Sequence, residues 1–400
     1  MLLGARAAQF RTDINPALTY YRALLMPVEP ISEADWQYLA SRKGKEQKLP
    51  ERFGRILASY DQQFRLFLHA AHATVPCDWG IDLNDGPNVA FPHLARAKAA
   101  AQVAQVRARW ALQHGRQNEA RDDLLAAFVM GRNLASDNLF IESLVQCMIE
   151  TLDYGTVAQH FGEFSTETLR QLVAGFDAAP PRHTLAACIP SEKALGDWTL
   201  HTIQDLQKAY PNDDAKVMAG FRDSGYISAM ATVGETDLWP RLVSASGGTS
   251  DGLLKLLREA DPVLARIAEL MALPPAQYEV QAKQVSAEIF QSPNPFISVL
   301  GFLLDKWHKR GFRPTEFAAQ TQLAMVHAAL EYRLHGEAGI KNVRDPFGDG
   351  PFNYQRFVFK GVDRGFELRS AYAELRMIFV EKQGPAFQVI GPDAGKAITQ

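Results

Sequence analysis

The chain of 400 residues has three cysteines, a net charge of −3 and no long apolar run. Each shortage closes off a class of protein. Cys77, Cys147 and Cys188 are odd in number and form no CxxC pair, which argues against a disulfide framework and a cysteine-only zinc site. A charge so near neutral gives no basic field to draw in nucleic acid or an anionic membrane. The longest uncharged stretch, 289–304, is cut by Pro293 and Pro295. It falls short of the ~20 residues that a membrane span needs. The opening residues Met1 to Phe10 turn polar too quickly for a signal peptide or an anchor. There is no GxSxG elbow and no HExxH pair. Gly391 to Lys396 is one residue too short between its glycines for a phosphate loop, and Ala397 stands where a hydroxyl should bind magnesium.

What is present is helical rhythm. Hydrophobic residues make up 47% of the chain and charged ones 22%, an ordinary globular balance. Leu18, Tyr21, Leu24 and Leu25 fall at helical steps, as do Phe53, Ile56, Leu57, Tyr60, Phe64 and Phe67. The clearest stretch steps through Ala99, Val103, Val106 and Trp110 to a stop at Gly115. Asn118 then caps a helix bearing Leu124, Ala127, Phe128 and Leu134. A third helix, about Leu139 to Phe161, turns Leu144, Cys147, Met148 and Leu152 inward. Ser32, Ser165 and Ser191 read as N-caps. The hairpin over 108–134 has the look of a tetratricopeptide unit, but no ~34-residue period repeats it. The last helix runs from near Thr315 to Gly336.

Past Gly336 the period changes. Phe352, Tyr354, Phe357 and Phe359 form a strand-like aromatic run, expected to seal a small sheet onto the last helix. Met377 to Val380 and Phe387 to Ile390 read as further short strands. The fold expected is therefore mainly α: an antiparallel helical bundle or helical-hairpin array with a small C-terminal antiparallel β-sheet. Its parts would be an N-terminal helical domain over 1–243, a Gly/Ser-rich linker over 244–252, C-terminal helices over 253–336 and a β-rich cap over 337–400.

Four residues make the best metal set. His69 and His72 lie one helical turn apart, with Cys77 and Asp78 just beyond, and nitrogen and sulfur ligands suit zinc. The plainer reading is two histidines on a polar helix edge. Asp122, Asp123 and Glu119 read as acids complementing a helix N-terminus. Lys306, His308, Lys309, Arg310 and Arg313 read as a solvated helix end.

The run Asp345-Pro346-Phe347-Gly348-Asp349-Gly350-Pro351 follows the helix ending His335-Gly336 and precedes Gly365-Phe366-Glu367-Leu368. Asp345 can accept from nearby backbone, Pro346 fixes a turn, and Gly348 and Gly350 allow positive φ. This pattern resembles a group of uncharacterised bacterial helical proteins with a C-terminal DPFxGxPxxY segment. It also resembles the tails of type II secretion pseudopilins, although the calcium loop of the latter is missing. Members of both groups are commonly exported or membrane-tethered, which implies a location outside the membrane after loss of an N-terminal anchor; as given, the chain reads as cytoplasmic. Three functions follow as expectations. The first is a non-catalytic scaffold with a protein or peptide partner in a groove between helix pairs, without nucleic acid. The second is a metal-dependent hydrolase using His69, His72 and Asp78. The third is a pseudopilin-related secretion component.

Overall fold

The structure is a computed structural model and describes residues 11–232, 234–309, 312–373 and 375–398. It is mainly α, with one small antiparallel sheet at the C-terminus. Helices α1 (Pro16–Leu24), α2 (Glu33–Ala40), α3 (Arg42–Glu46), α4 (Arg52–Ala58) and α5 (Asp61–Ala71) precede a long hairpin, α6 (Pro92–Gln113) and α7 (Gln117–Leu134). Alanine decides how closely that hairpin packs. Ala97, Ala101, Ala104, Ala108 and Ala111 are at most 3% exposed, so α7 approaches the α6 backbone. Ala99, expected on the inner face, is exposed. Gly115, at φ 73°, makes the reversal between them.

α8 (Phe140–Gln159) is the centre of the molecule, packed on α6, α7 and on α17 (below). α9 (Thr166–Ala178) is capped by Ser165 as expected, its hydroxyl accepting from the Thr168 amide. Then come α10 (Ile189–Ala209), α11 (Asp214–Asp223), α12 (Tyr226–Thr232), α13 (Leu238–Ala245), α14 (Ser250–Met271), α15 (Pro275–Phe290), α16 (Pro295–Lys309), α17 (Phe312–His335) and the single turn α18 (Glu337–Ile340). Pro275 opens α15 at its first position, where its missing N–H costs nothing.

Several local expectations change. Asn118 does not cap α7, which begins a residue earlier behind Arg116. Asp123 is no helix-end acid: it is 7% exposed and pairs with Arg107 across to α6, at 3.0 Å. Glu119 pairs with Arg116. Ser191 lies inside α10 and donates to the Asp137 carbonyl. The stretch 244–252 is a capped turn rather than an open tether. Ser244 and Ala245 finish α13, Thr249 Oγ1 accepts from the Gly252 amide, and the buried Ser250 hydrogen-bonds Asp214. Of the basic run, Arg310 lies outside the described residues, as do the side chains of Lys306, His308 and Lys309; Arg313 is buried and pairs with Glu316. The opening Met1 to Phe10 lies outside them as well.

The sheet has strands β1 (Asn353–Phe359), β2 (Val362–Arg369) and β3 (Arg376–Val380) in that order. Its inner face places Phe366 and Phe379, rings 5.1 Å apart, against Phe161. Tyr354 packs on Tyr332 of α17, whereas Phe357 and Phe359 turn to the other face and meet Phe387. The aromatic run thus serves two faces, as the period of two in a strand requires. The segment 387–390 contributes only isolated bridges.

Candidate functional site

The residues expected to bind metal do not gather as a cluster among the described residues. His69 Nε2 lies 3.1 Å from the Arg11 carbonyl. His72 is exposed at the end of α5. Asp78 accepts from the Gly80 amide at 2.8 Å, closing its own turn. Cys77 is buried, and burial pushes its thiol up to about 12. Among the described residues, no three His, Cys, Asp or Glu side chains gather as a metal would need.

The Asp345 turn is a staple. Asp345 is 2% exposed and accepts from the Ser370 hydroxyl, the Ala371 amide and the Phe347 amide, at 2.8 to 3.1 Å. It ties the end of β2 to the chain leaving α18, and Phe347 packs between Phe317 and Tyr372. Pro346 follows Asp345 at the turn, and neither Gly348 nor Gly350 needs positive φ. Gly348 is needed for room instead, because a Cβ there would lie 3.0 Å from the Asp345 carboxylate.

The charged seam on α8 is absent from the pattern of residues read along the chain. Glu142, Gln146, Glu150 and Asp153 recur at helical steps and are all fully buried. Glu150 pairs with Arg132 of α7 and with Arg182, beyond α9. Arg182 also donates to the Glu316 carbonyl at 3.2 Å. Gln146 holds both backbone groups of His183, at 3.1 and 3.2 Å. Glu142 accepts from the Leu139 amide, and burial, with the Asp137 charge behind it, raises its carboxyl to about 8. Burial and then the neighbouring Glu150 charge hold the Asp153 carboxyl far above its ordinary range. Glu150 and Gln146 join α8 to other segments, and all four side chains are sealed from water.

The cavity lies elsewhere, among α10, α12, α14 and α16. Its volume is about 230 Å³. α10 lends Ile189, Glu192, Gly196, Thr199 and Leu200 to the wall; α14 lends Leu257, Ala260, Leu264 and Ile267. Tyr226 and Met230 come from α12, and Phe296, Val299 and Leu300 from α16. Gly196 leaves open space, since a Cβ there would meet nothing within 4 Å. A second depression continues along α10 and α14, sharing Ile189, Asp261 and Leu264. Lys193 reaches both Asp197 and Asp261 at 3.4 Å, linking the two helices at the mouth. Within the apolar wall Glu192 is a half-buried acid. Its Oε1 accepts from the Phe140 amide at 3.3 Å, and burial raises it to about 7 despite that bond. A mostly apolar cavity with one polar group of shifted pKa is the usual form of a small-ligand site.

Sequence reasoning named the helix carrying Glu192 but not the acid itself. The only signal was an acid among apolar residues in a helix's first turn, which a cap explains equally well. Set against protein-family models, curated proteins and solved structures, the chain matches none of them. Among the described residues, no helix is long and apolar enough to cross a membrane.

Proposed function

We propose that this chain is a non-catalytic helical binding protein, and that the cavity between α10 and α14 is where it holds a small apolar ligand. The supporting observation is Gly196. A glycine inside a helix costs roughly 0.5–1 kcal/mol relative to alanine, and here it keeps the cavity wall flat. The volume of about 230 Å³ exceeds the ~150 Å³ of an engineered cavity that admits benzene. A fused ring pair or a short branched chain is therefore the right size. Paired ions at the mouth and helices on every side suit holding rather than turnover.

Titration calorimetry with 1-naphthylmethanol tests this reading. The intact protein should bind one molecule saturably. Gly196→Leu, whose side chain enters open space, should fold normally and abolish that heat. Equal binding by the two proteins, or no saturable binding by either, would remove the proposal.

A further inference from the structure

We propose that the ligand is an amphiphilic primary amine, its apolar body among Leu200, Leu264 and Phe296 and its ammonium against Glu192. This rests on the binding reading above and adds the chemistry of the head group.

Four observations lead there. First, only one oxygen of Glu192 is used, by the Phe140 amide. The other has no protein partner among the described residues. An ionised carboxylate facing apolar wall is costly unless a cation or donors meet it. Second, the local cations are committed elsewhere. Lys193 is held between Asp197 and Asp261, and the Arg258 side chain is exposed. Around the cavity and its mouth stand three acids, Glu192, Asp197 and Asp261, against two bases, Lys193 and Arg258. One positive charge is wanting, and a ligand ammonium supplies it. Third, Pro262 sits inside α14 and has no N–H. The carbonyl of Arg258, a wall residue, therefore lacks the donor four residues on, and an ammonium has three N–H groups to offer. Fourth, the volume admits a ring body as well as the head.

The facing groups set the pH response. On α10 these are Lys193 and Asp197, on α14 Arg258 and Asp261, on α12 the Tyr226 hydroxyl, and before α10 the Cys188 thiol. Glu192 lies at about 7 in the empty cavity, raised by burial. Below that pH it is neutral and pairs poorly with an ammonium; above it the carboxylate awaits one. Amine affinity should therefore rise from pH 6 to pH 8, with a proton released on binding near pH 7.

The test compares 1-naphthylmethylamine, 1-naphthylmethanol and 1-naphthoate by calorimetry at pH 6 and pH 8. At pH 8 the amine should bind about tenfold tighter than the alcohol or more, as a charged hydrogen bond allows, and naphthoate weakest. The ratio of amine to alcohol should shrink at pH 6 and fall close to one in Glu192→Gln. An alcohol that binds the intact protein as well as the amine at pH 8 overturns the head-group assignment, as does a ratio preserved in Glu192→Gln. Saturable binding by none of the three overturns both this inference and the binding reading beneath it.

Discussion

Two regions of this molecule set carboxylates against apolar surroundings, one sealing them off completely and the other leaving one half-buried at a cavity. Along α8, Glu150 meets Arg132 and Arg182, Gln146 holds the His183 backbone, and Glu142 caps Leu139. Between α10 and α14, Glu192 has one backbone partner and an open cavity before it. In the first, Glu150 and Gln146 meet partners that fix how α7, α8 and α17 dock, while Glu142 keeps one oxygen and Asp153 both without a protein hydrogen bond among the described residues. The second leaves hydrogen-bonding capacity unused beside empty apolar space. The contrast shows that burial of a carboxylate says little about function until its surroundings are known: Glu150 between two arginines is architecture, Asp153 is sealed away from any ligand, and Glu192 beside a cavity is within reach of one.

The comparison breaks most visibly at Glu150. Glu150→Leu leaves Arg132 and Arg182 buried without their counter-ion, so urea unfolding should show a loss of about 3–5 kcal/mol. Replacing both arginines by methionine in that background should recover most of it. If Glu150→Leu alone costs under about 1 kcal/mol, the seam is not the structural unit described.

A second measurement reads the α8 seam through pH and the Glu142 variant. The Glu142 carboxyl rises from an ordinary 4.5 to about 8 on folding. The native state thus holds a proton that the unfolded chain has released throughout that window. Its share of stability is complete below about pH 4.5 and falls as pH rises toward 8, by up to about 1.4 kcal/mol per pH unit. Unfolding at pH 5, 6.5 and 8 should show this decline, and Glu142→Gln should flatten it. A steeper decline in the variant would assign the effect to other groups.

The smallest effect is at the cavity. Gly196→Ala should raise stability by roughly 0.5–1 kcal/mol, because the helix gains alanine and its Cβ enters open space. Destabilisation would mean that the wall at Gly196 is already full.

How much of this was readable beforehand differs by element. The Ser32 and Ser165 caps and the stop at Gly336 are local chemistry, and each stands where the residues said. α8 misled for a physical reason. Leu144, Met148 and Leu152 were expected to face inward and are only half-buried, while Glu142, Gln146, Glu150 and Asp153 are fully buried. An apolar stripe marks the inner face only when the opposite face meets water. α8 is surrounded, so its polar face is inside too, and the partners that make this tolerable come from distant residues, as with Gln146 and His183, 37 positions apart in the chain. The cavity was hidden for the same kind of reason: its wall is assembled from five helices, with Phe140 of α8 among its lining, and none of them carries the signal alone.

By itself, the order of amino acids determined that the chain coils into amphipathic helices, where several of them start and stop, and that the last stretch changes to strands. Those outcomes rest on interactions within a few residues, which any reader of the chain can sum. Tertiary structure alone decided which acids are paired and which one faces empty space, because both depend on groups brought together from distant positions, where low-dielectric surroundings make each missing partner count.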